Sequence, residues 1–188
     1  VNKLKSWVTA GGNILANGRA ISWLHGQGIA EAMTKPTPGS FDIKSGETPM
    51  RAYETASNDA GTDQIAGAIF EGKFDASHPL LYGYMGNTIP LFKSTKVFLE
   101  IPKNAYAAPI RYTANPLLSG YISKVNLDQI KNSAAVVISG LGSGKVIAIP
   151  DNLNFRGFWY GTNKLFMNAL FLGDVINGNT VQRVTPRE

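Results

Sequence analysis

The hydrophobic and polar positions of the first 24 residues predict a helix, a strand and a second helix. Leu4, Trp7 and Val8 have the i, i+3, i+4 spacing that places apolar side chains on one face of a helix. A glycine pair then ends this helix, because glycine adopts the left-handed conformation of a C-terminal cap without a Cβ penalty. Residues 13–16 are too few for another helix and are apolar at their centre, which favours a buried parallel strand. Gly18 then turns the chain into the second helix.

A strand that leads through a tight turn into a helix is the βα step of an open α/β sheet. Ligand sites of such sheets lie at the carboxyl ends of the strands. Many hydrolytic α/β folds present their nucleophile at this kind of turn. Here residues 17–22 read NGRAIS, and the whole chain contains no cysteine. The opening unit therefore indicates a catalytic architecture without its usual nucleophile.

The remaining pattern predicts further strands and one strongly apolar helix. Two β-branched runs, residues 134–139 and 145–149, are joined by a glycine-rich segment and predict a β-hairpin. Thr162 can cap a helix that runs to about Leu172, and this helix is apolar on nearly every face, so we expect it to be buried against the sheet. The other expected elements are a continuous or broken helix over residues 21–33, a long surface loop over 34–61, strands over 65–74, 90–101 and 109–113, a helical turn over 80–84 that starts near Asp75 or Ser77, and a polar, frayed tail from residue 177.

The composition of the chain excludes several classes of protein. The chain has 188 residues, of which 44% are hydrophobic, and this predicts one domain over residues 1–176 followed by a polar tail over 177–188. No apolar run approaches the roughly 20 residues that a membrane-spanning helix needs, so we expect no membrane span. The net charge of +5 comes from basic residues scattered singly, which argues against a nucleic-acid interface. The lack of cysteine excludes disulfides and thiol nucleophiles.

Two motifs that suggest known chemistry are explained better by local structure. The segment GLGSGK resembles a phosphate-binding loop, but Ser139 stands where that motif requires glycine and Val146 follows its lysine. A glycine-rich hairpin turn is the favoured interpretation. The two histidines, His25 and His78, belong to no HxxE or HExxH pattern, so we expect no metal site. Asp75 precedes His78 by three residues and could form a catalytic dyad with it, although helix capping is favoured.

Candidate binding residues lie near the predicted strand ends. Arg19 and His25 belong to the helix after the first strand, and Arg156 and Trp159 belong to the aromatic-rich segment NFRGFWY. A guanidinium group beside aromatic rings can bind a carboxylate or a sugar. The same aromatic residues can instead close the end of the sheet, and we favour that structural role for the loop. Ser22 lacks the G-x-S-x-G context of a serine hydrolase nucleophile, which makes a hydrolase the weakest hypothesis.

Three long segments of the chain carry a resemblance to a known family. They are LKSWVTAGGNILANG, IAGAIFEGKFDASHPLLYGY and GSGKVIAIPDNLNFRGFWYGTNKLFMNALF. Together they resemble the C-terminal domain that follows the catalytic domain in bacterial, Bacteroidetes-type zinc carboxypeptidases of the M14 family. That domain is similar to class I glutamine amidotransferases. The resemblance implies a flavodoxin-like, three-layer α/β/α sandwich with a mostly parallel sheet and a late β-hairpin, whose first strands precede Val1.

The same resemblance implies a function that this segment does not perform alone. Gly18, Arg19 and Ala20 stand where an amidotransferase has its cysteine, and residues 150–152 (Pro-Asp-Asn) replace its later histidine and glutamate. The HxxE zinc ligands of an M14 peptidase are also missing, so the resemblance places zinc and catalysis in an upstream domain, with no cofactor in this segment. It implies a secreted or periplasmic parent and the upstream peptidase domain as partner.

The sequence therefore predicts a non-catalytic accessory domain of a zinc metallocarboxypeptidase that stabilises the parent or contacts its substrate. Two alternatives stay open. One is a ligand-binding module for a glycan or peptide, which would use the crevice at the strand ends lined by Arg19, His25, Arg156 and Trp159. The other is a cryptic serine hydrolase that would use Ser22.

Overall fold

One curled sheet of short strands forms the centre of the fold. The computed structural model describes residues 1–36 and 50–185. The strand order is β1-β6-β5-β4-β2-β3, β7 pairs with the second half of β5, and the sheet curls into a half-barrel. The strands are β1 (Asn13–Asn17), β2 (Ala68–Phe74), β3 (Thr88–Lys93), β4 (Ile110–Ser119), β5 (Ala134–Leu141), β6 (Gly144–Ile149) and β7 (Gln182–Arg183).

The helices are short and lie on both sides of this sheet. Several three-residue 3-10 turns connect them to the strands. The α-helices are α1 (Asn2–Thr9), α2 (Arg19–Gly26), α3 (Ala56–Thr62), α4 (Lys124–Ile130) and α5 (Asn163–Phe171), and the 3-10 turns span Tyr53–Thr55, Pro79–Leu81, Phe155–Gly157, Tyr160–Thr162 and Gly173–Val175.

The predicted mostly parallel, three-layer sandwich is wrong. Only the β1–β6 and β5–β7 pairs are parallel, whereas β6–β5, β5–β4, β4–β2 and β2–β3 are antiparallel. A parallel pair needs a crossover connection, usually a helix, between its strands. The opening βα step supplies the first part of such a crossover, but β2 and β3 are joined through a single 3-10 turn and β5 and β6 through a tight hairpin. The chain therefore reverses its direction from β2 to β3 and from β5 to β6, and these neighbouring strands are antiparallel.

The opening helix–strand–helix unit and the late hairpin are confirmed. α1, β1 and α2 follow in the predicted order, and β1 pairs in parallel with β6. β1 is half-buried instead of fully buried, since it is the last strand of the sheet on its side. Its outer edge pairs with no other strand of the described residues.

Two apolar clusters lie on opposite faces of the sheet. On β6, Val146 and Ala148 pack towards α1 and α2, while Ile147 and Ile149 pack towards α5. Both faces are covered at the centre of the sheet, which explains why β5 and β6 are apolar at consecutive positions. In β2, by contrast, buried and less buried positions alternate, as expected where one face meets solvent.

The glycines of the GLGSGK segment serve the packing of the hairpin turn. Gly142 has a φ of 59°, in the left-handed region that favours glycine. Ser143 N–H donates to the Thr9 carbonyl at 3.0 Å, so the turn is docked on the end of α1. A Cβ atom on Gly144 would overlap the carbonyl oxygens of Val8 and Gly12. The predicted hairpin turn is therefore confirmed.

Several other elements differ from the sequence prediction. α5 forms over Asn163–Phe171 and packs on the sheet as expected, but only Leu165 and Ala169 are buried, so the helix is less buried than its apolar composition predicts. α2 ends at Gly26, and the helix does not resume over residues 30–33. Part of the predicted loop over residues 34–61 lies outside the described residues, while its last part contains α3.

The C-terminal stretch is attached to the sheet as far as it is described. Val181 is buried, and the short strand β7 pairs in parallel with β5. The side-chain amide of Asn104 donates to the carbonyl oxygens of Asn179 and Val181, both at 3.0 Å. Residues 177–185 therefore do not fray as predicted, because a buried valine and a strand pairing hold them in place.

Candidate functional site at the carboxyl ends of β1 and β6

A cavity of about 130 Å³ opens where the parallel strands β1 and β6 end. The two strand ends are tied together, because Gly18 N–H donates to the Pro150 carbonyl at 3.1 Å. Side chains from alternate positions of both strands point to the α5 side and form the wall. The lining residues are Leu15, Asn17, Ile149, Asp151, Asn152, Leu153 and Phe166.

A buried ion pair lies at the inner end of this cavity. Lys93, the last residue of β3, is completely buried, and its Nζ donates to Asp151 Oδ2 at 2.8 Å and to the Val97 carbonyl at 2.7 Å. The hydroxyl of Thr95 donates to Asp151 Oδ1 at 2.9 Å. Both carboxylate oxygens thus have partners, and the negative charge of Asp151 is neutralised by a cation in direct contact.

Tyr112 lies beside this ion pair in the core. Burial and the negative charge of Asp151 raise the pKa of its phenol well above the usual value. Its hydroxyl therefore stays protonated in neutral solution.

The structure places three of the predicted binding residues near this end of the sheet. Arg19 is exposed and begins α2 immediately after the turn at the end of β1. Arg156 and Trp159 lie on the loop after β6, which packs on β3. In that loop Phe155 stacks on Phe92 with ring centroids 4.1 Å apart, and the Arg156 guanidinium lies 5.1 Å from the Phe155 ring centre. The aromatic loop thus covers part of β3.

His25 lies at the opposite end of the sheet. α2 runs back from the end of β1, and Gly26 shares another cavity with Leu141, beside the hairpin turn that precedes β6. His25 Nδ1 is 3.2 Å from the Ala30 carbonyl oxygen. The structure does not bring the four predicted residues together, and none of them lines the cavity described above. A ligand bound by Arg19, Arg156 or Trp159 stays a prediction.

Sequence reasoning missed the residues that line this cavity. Asn17, Asp151 and Asn152 directly follow or end β1 and β6, so a search for polar residues at strand ends would have found them. In the sequence, residues 150–152 stand out only as a departure from the amidotransferase pattern. Lys93 carries no sequence signal, because lysine at the end of a strand is typical of a solvent-exposed position.

Asp75 and His78 do not form a catalytic dyad in the described structure. The Asp75 carboxylate accepts hydrogen bonds from the backbone N–H and the hydroxyl of Ser77, and these bonds lower the pKa of Asp75. His78 Nδ1 accepts a hydrogen bond from Leu80 N–H at 3.2 Å and caps the Pro79–Leu81 turn. The predicted helical turn is confirmed, with His78 as its cap instead of Asp75 or Ser77.

We expect His78 to make the protein less stable as the pH falls from about 6.5 to about 4. Burial lowers the pKa of His78 from 6.5 to about 4 in the folded protein, so the unfolded chain takes up its proton first. Above pH 6.5 His78 is neutral in both states and costs no stability. As the pH falls from 6.5 towards 4, the free energy of unfolding decreases, by about 2 kcal/mol in total after allowance for solvent screening. Denaturant unfolding at several pH values measures it.

The matched variant is His78→Asn, whose side-chain oxygen can still cap the turn but does not titrate. The loss of stability between neutral and acidic pH should be smaller in this variant than in the wild type. If both proteins lose the same free energy of unfolding over this range, His78 is not the group responsible.

Ser22, the candidate of the hydrolase hypothesis, is exposed on α2 and its hydroxyl lies 3.3 Å from that of Thr34. Within residues 1–36 and 50–185, no group of three or more His, Cys, Asp or Glu side chains is placed to hold a metal ion. In the same residues no helix has the length and apolarity to cross a membrane.

Comparisons with protein-family models, curated proteins and solved structures found no match.

Proposed function

We propose that this chain is a non-catalytic accessory domain that packs against another folded domain, the catalytic domain of a secreted or periplasmic zinc carboxypeptidase. The observation that carries the proposal is the exposed apolar face of α5. The identity of the partner follows from the sequence resemblance and is the more specific part of the proposal.

The exposed apolar face of α5 covers the second half of the helix. Met167, Leu170 and Phe171 have the i, i+3, i+4 spacing of neighbouring side chains, and they are 47%, 55% and 72% exposed. Val175, in the 3-10 turn after the helix, is 60% exposed. Large apolar side chains grouped on one exposed face are typical of a surface that binds another protein.

The energetic argument favours a stable contact over a transient one. Burying a leucine or phenylalanine side chain contributes about 1.5–3 kcal/mol. Because Leu170 and Phe171 are 55% and 72% exposed, burying the rest of both side chains would add about 2–4 kcal/mol to an association, which corresponds to a gain in affinity of at least roughly thirtyfold. The opposite side of α5 already packs on the sheet through Leu165 and Ala169, so the helix can bind a partner without leaving its place.

The double variant Leu170→Asp, Phe171→Asp tests the contact. Both side chains are exposed, so the variant should unfold at nearly the same denaturant concentration as the wild type. Its affinity for the separately expressed catalytic domain should fall by at least about thirtyfold in titration calorimetry. The control Tyr106→Asp changes another exposed aromatic residue, outside α5, and should bind like the wild type.

The catalytic domain for this experiment is the polypeptide encoded next to the chain in its gene, where the proposal expects an HxxE pair and a distant histidine. Equal binding by the double variant and the control would contradict the α5 contact. Release of C-terminal amino acids from peptides by the isolated chain in the presence of zinc would contradict the non-catalytic role.

A further inference from the structure

We propose that the cavity at the carboxyl ends of β1 and β6 binds a neutral sugar ring. This inference goes beyond the accessory role and does not depend on it, because the cavity lies at the end of the sheet and its residues belong to the chain itself. Water can reach about 130 Å³ of this cavity, and the cavity is open to solvent on one side. One face or edge of a sugar ring can therefore enter it while the rest of the ligand stays outside.

The polar groups at the rim are amides. Asn17 and Asn152 are both exposed and both line the cavity. Asn152 Oδ1 accepts a hydrogen bond from Asn154 N–H at 3.0 Å, which leaves its NH₂ group directed elsewhere, and the Asn17 side chain has no hydrogen-bond partner among the described residues. An amide offers two donors and an acceptor, the combination that hydroxyl groups of a polyol can satisfy.

The electrostatics of the site select a ligand without charge. Asp151 is the one charged side chain among the lining residues. Its charge is neutralised by Lys93, whose Nζ lies 2.8 Å from Asp151 Oδ2. A ligand carboxylate would be repelled by Asp151, and no lysine or arginine among the described residues lines the cavity to bind it. A ligand ammonium group would have to compete with Lys93 for the carboxylate of Asp151. Either charge would lose hydration without a full partner, which is costly.

The remaining walls are apolar. Leu15, Ile149 and Leu153 line the cavity together with the ring of Phe166, which is half-buried against the core. A pyranose has hydroxyl groups around its edge and C–H groups on its faces, so one face can lie on apolar side chains while the edge meets the amides. Small-molecule sites commonly combine an apolar wall with a few placed polar groups.

The test is an NMR titration of the intact chain with glucose and its two charged analogues, glucuronate and glucosamine, at millimolar concentrations. Glucose should shift the amide signals of Asn17, Asn152 and Phe166, and both analogues should bind more weakly. The double variant Asn17→Ala, Asn152→Ala should lower the affinity for glucose by about tenfold, since two hydrogen bonds are removed.

The matched control is Asn58→Ala, which removes an exposed amide from α3, away from the cavity. It should leave the glucose titration unchanged. The proposal is overturned if glucose shifts no signal of the cavity, if glucuronate or glucosamine binds more tightly than glucose, or if the double variant and the control behave alike. Because the titration contains no partner domain, none of these outcomes bears on the α5 contact.

Discussion

Replacement of Lys93 by methionine is expected to lower the free energy of unfolding by about 3–5 kcal/mol. The reason is the carboxylate that the variant leaves behind. Asp151 would stay buried with the Thr95 hydroxyl as a partner but without a cation to neutralise it. Methionine fills much of the space of the lysine stem, so lost packing contributes little. Denaturant unfolding at neutral pH measures the effect.

Two comparisons separate the buried charge from other effects of the substitution. Lys131→Met removes a surface ion pair with Asp128, whose two side chains are 37% and 47% exposed, and should cost at most about 1 kcal/mol. The double variant Lys93→Met, Asp151→Leu removes both buried charges and should recover much of the lost stability. A loss no larger in Lys93→Met than in Lys131→Met would contradict the assigned role.

Replacement of Gly144 by alanine is expected to destabilise the protein by about 3 kcal/mol, the upper end of the usual cost of overpacking. The new methyl group would overlap two backbone carbonyl oxygens, those of Val8 and Gly12, and neither can rotate away as a side chain would. The hairpin would have to separate from the end of α1. The change in free energy of unfolding and the loss of tryptophan signal from Trp7 on α1 measure this separation.

The control is Gly61→Ala in α3, where an added Cβ atom has no neighbour within 4 Å. Alanine favours helix over glycine by about 0.5–1 kcal/mol, so this variant should be slightly more stable than the wild type. The two substitutions are chemically identical, and their effects should have opposite signs. Equal effects would show that close backbone packing at Gly144 is not the cause.

The sequence predicts those parts of the fold whose signals are local. The spacing of Leu4, Trp7 and Val8, the glycines after them and the hairpin around Gly142 depend only on neighbouring residues, and the structure confirms all of them. Whether two strands pair in parallel or antiparallel does not depend on neighbouring residues alone. β2 joins β4 through an irregular pairing of residues far apart in the chain, and no pattern within either strand specifies it.

The candidate site, like the fold, is predicted from the sequence only in part. The βα step indicated that a site would lie at the carboxyl end of the first strand, and a cavity does open there. The sequence pattern points to Arg19 and His25 for this site, whereas the cavity is lined by Asn17, Asp151 and their neighbours. The burial of Lys93 depends on a partner 58 residues away, so no local pattern could reveal it.

The parallel pairing of β1 with β6 also determines when the beginning of the chain can fold. Asn13 pairs with Lys145 and Asn17 with Ile149, so β1 has no strand to join until those residues exist. During synthesis, α1, β1 and α2 leave the ribosome before β6 and must wait for it. Their contacts span most of the chain, which makes them slow to form. This helix–strand–helix unit is therefore among the last parts of the sheet to reach its place.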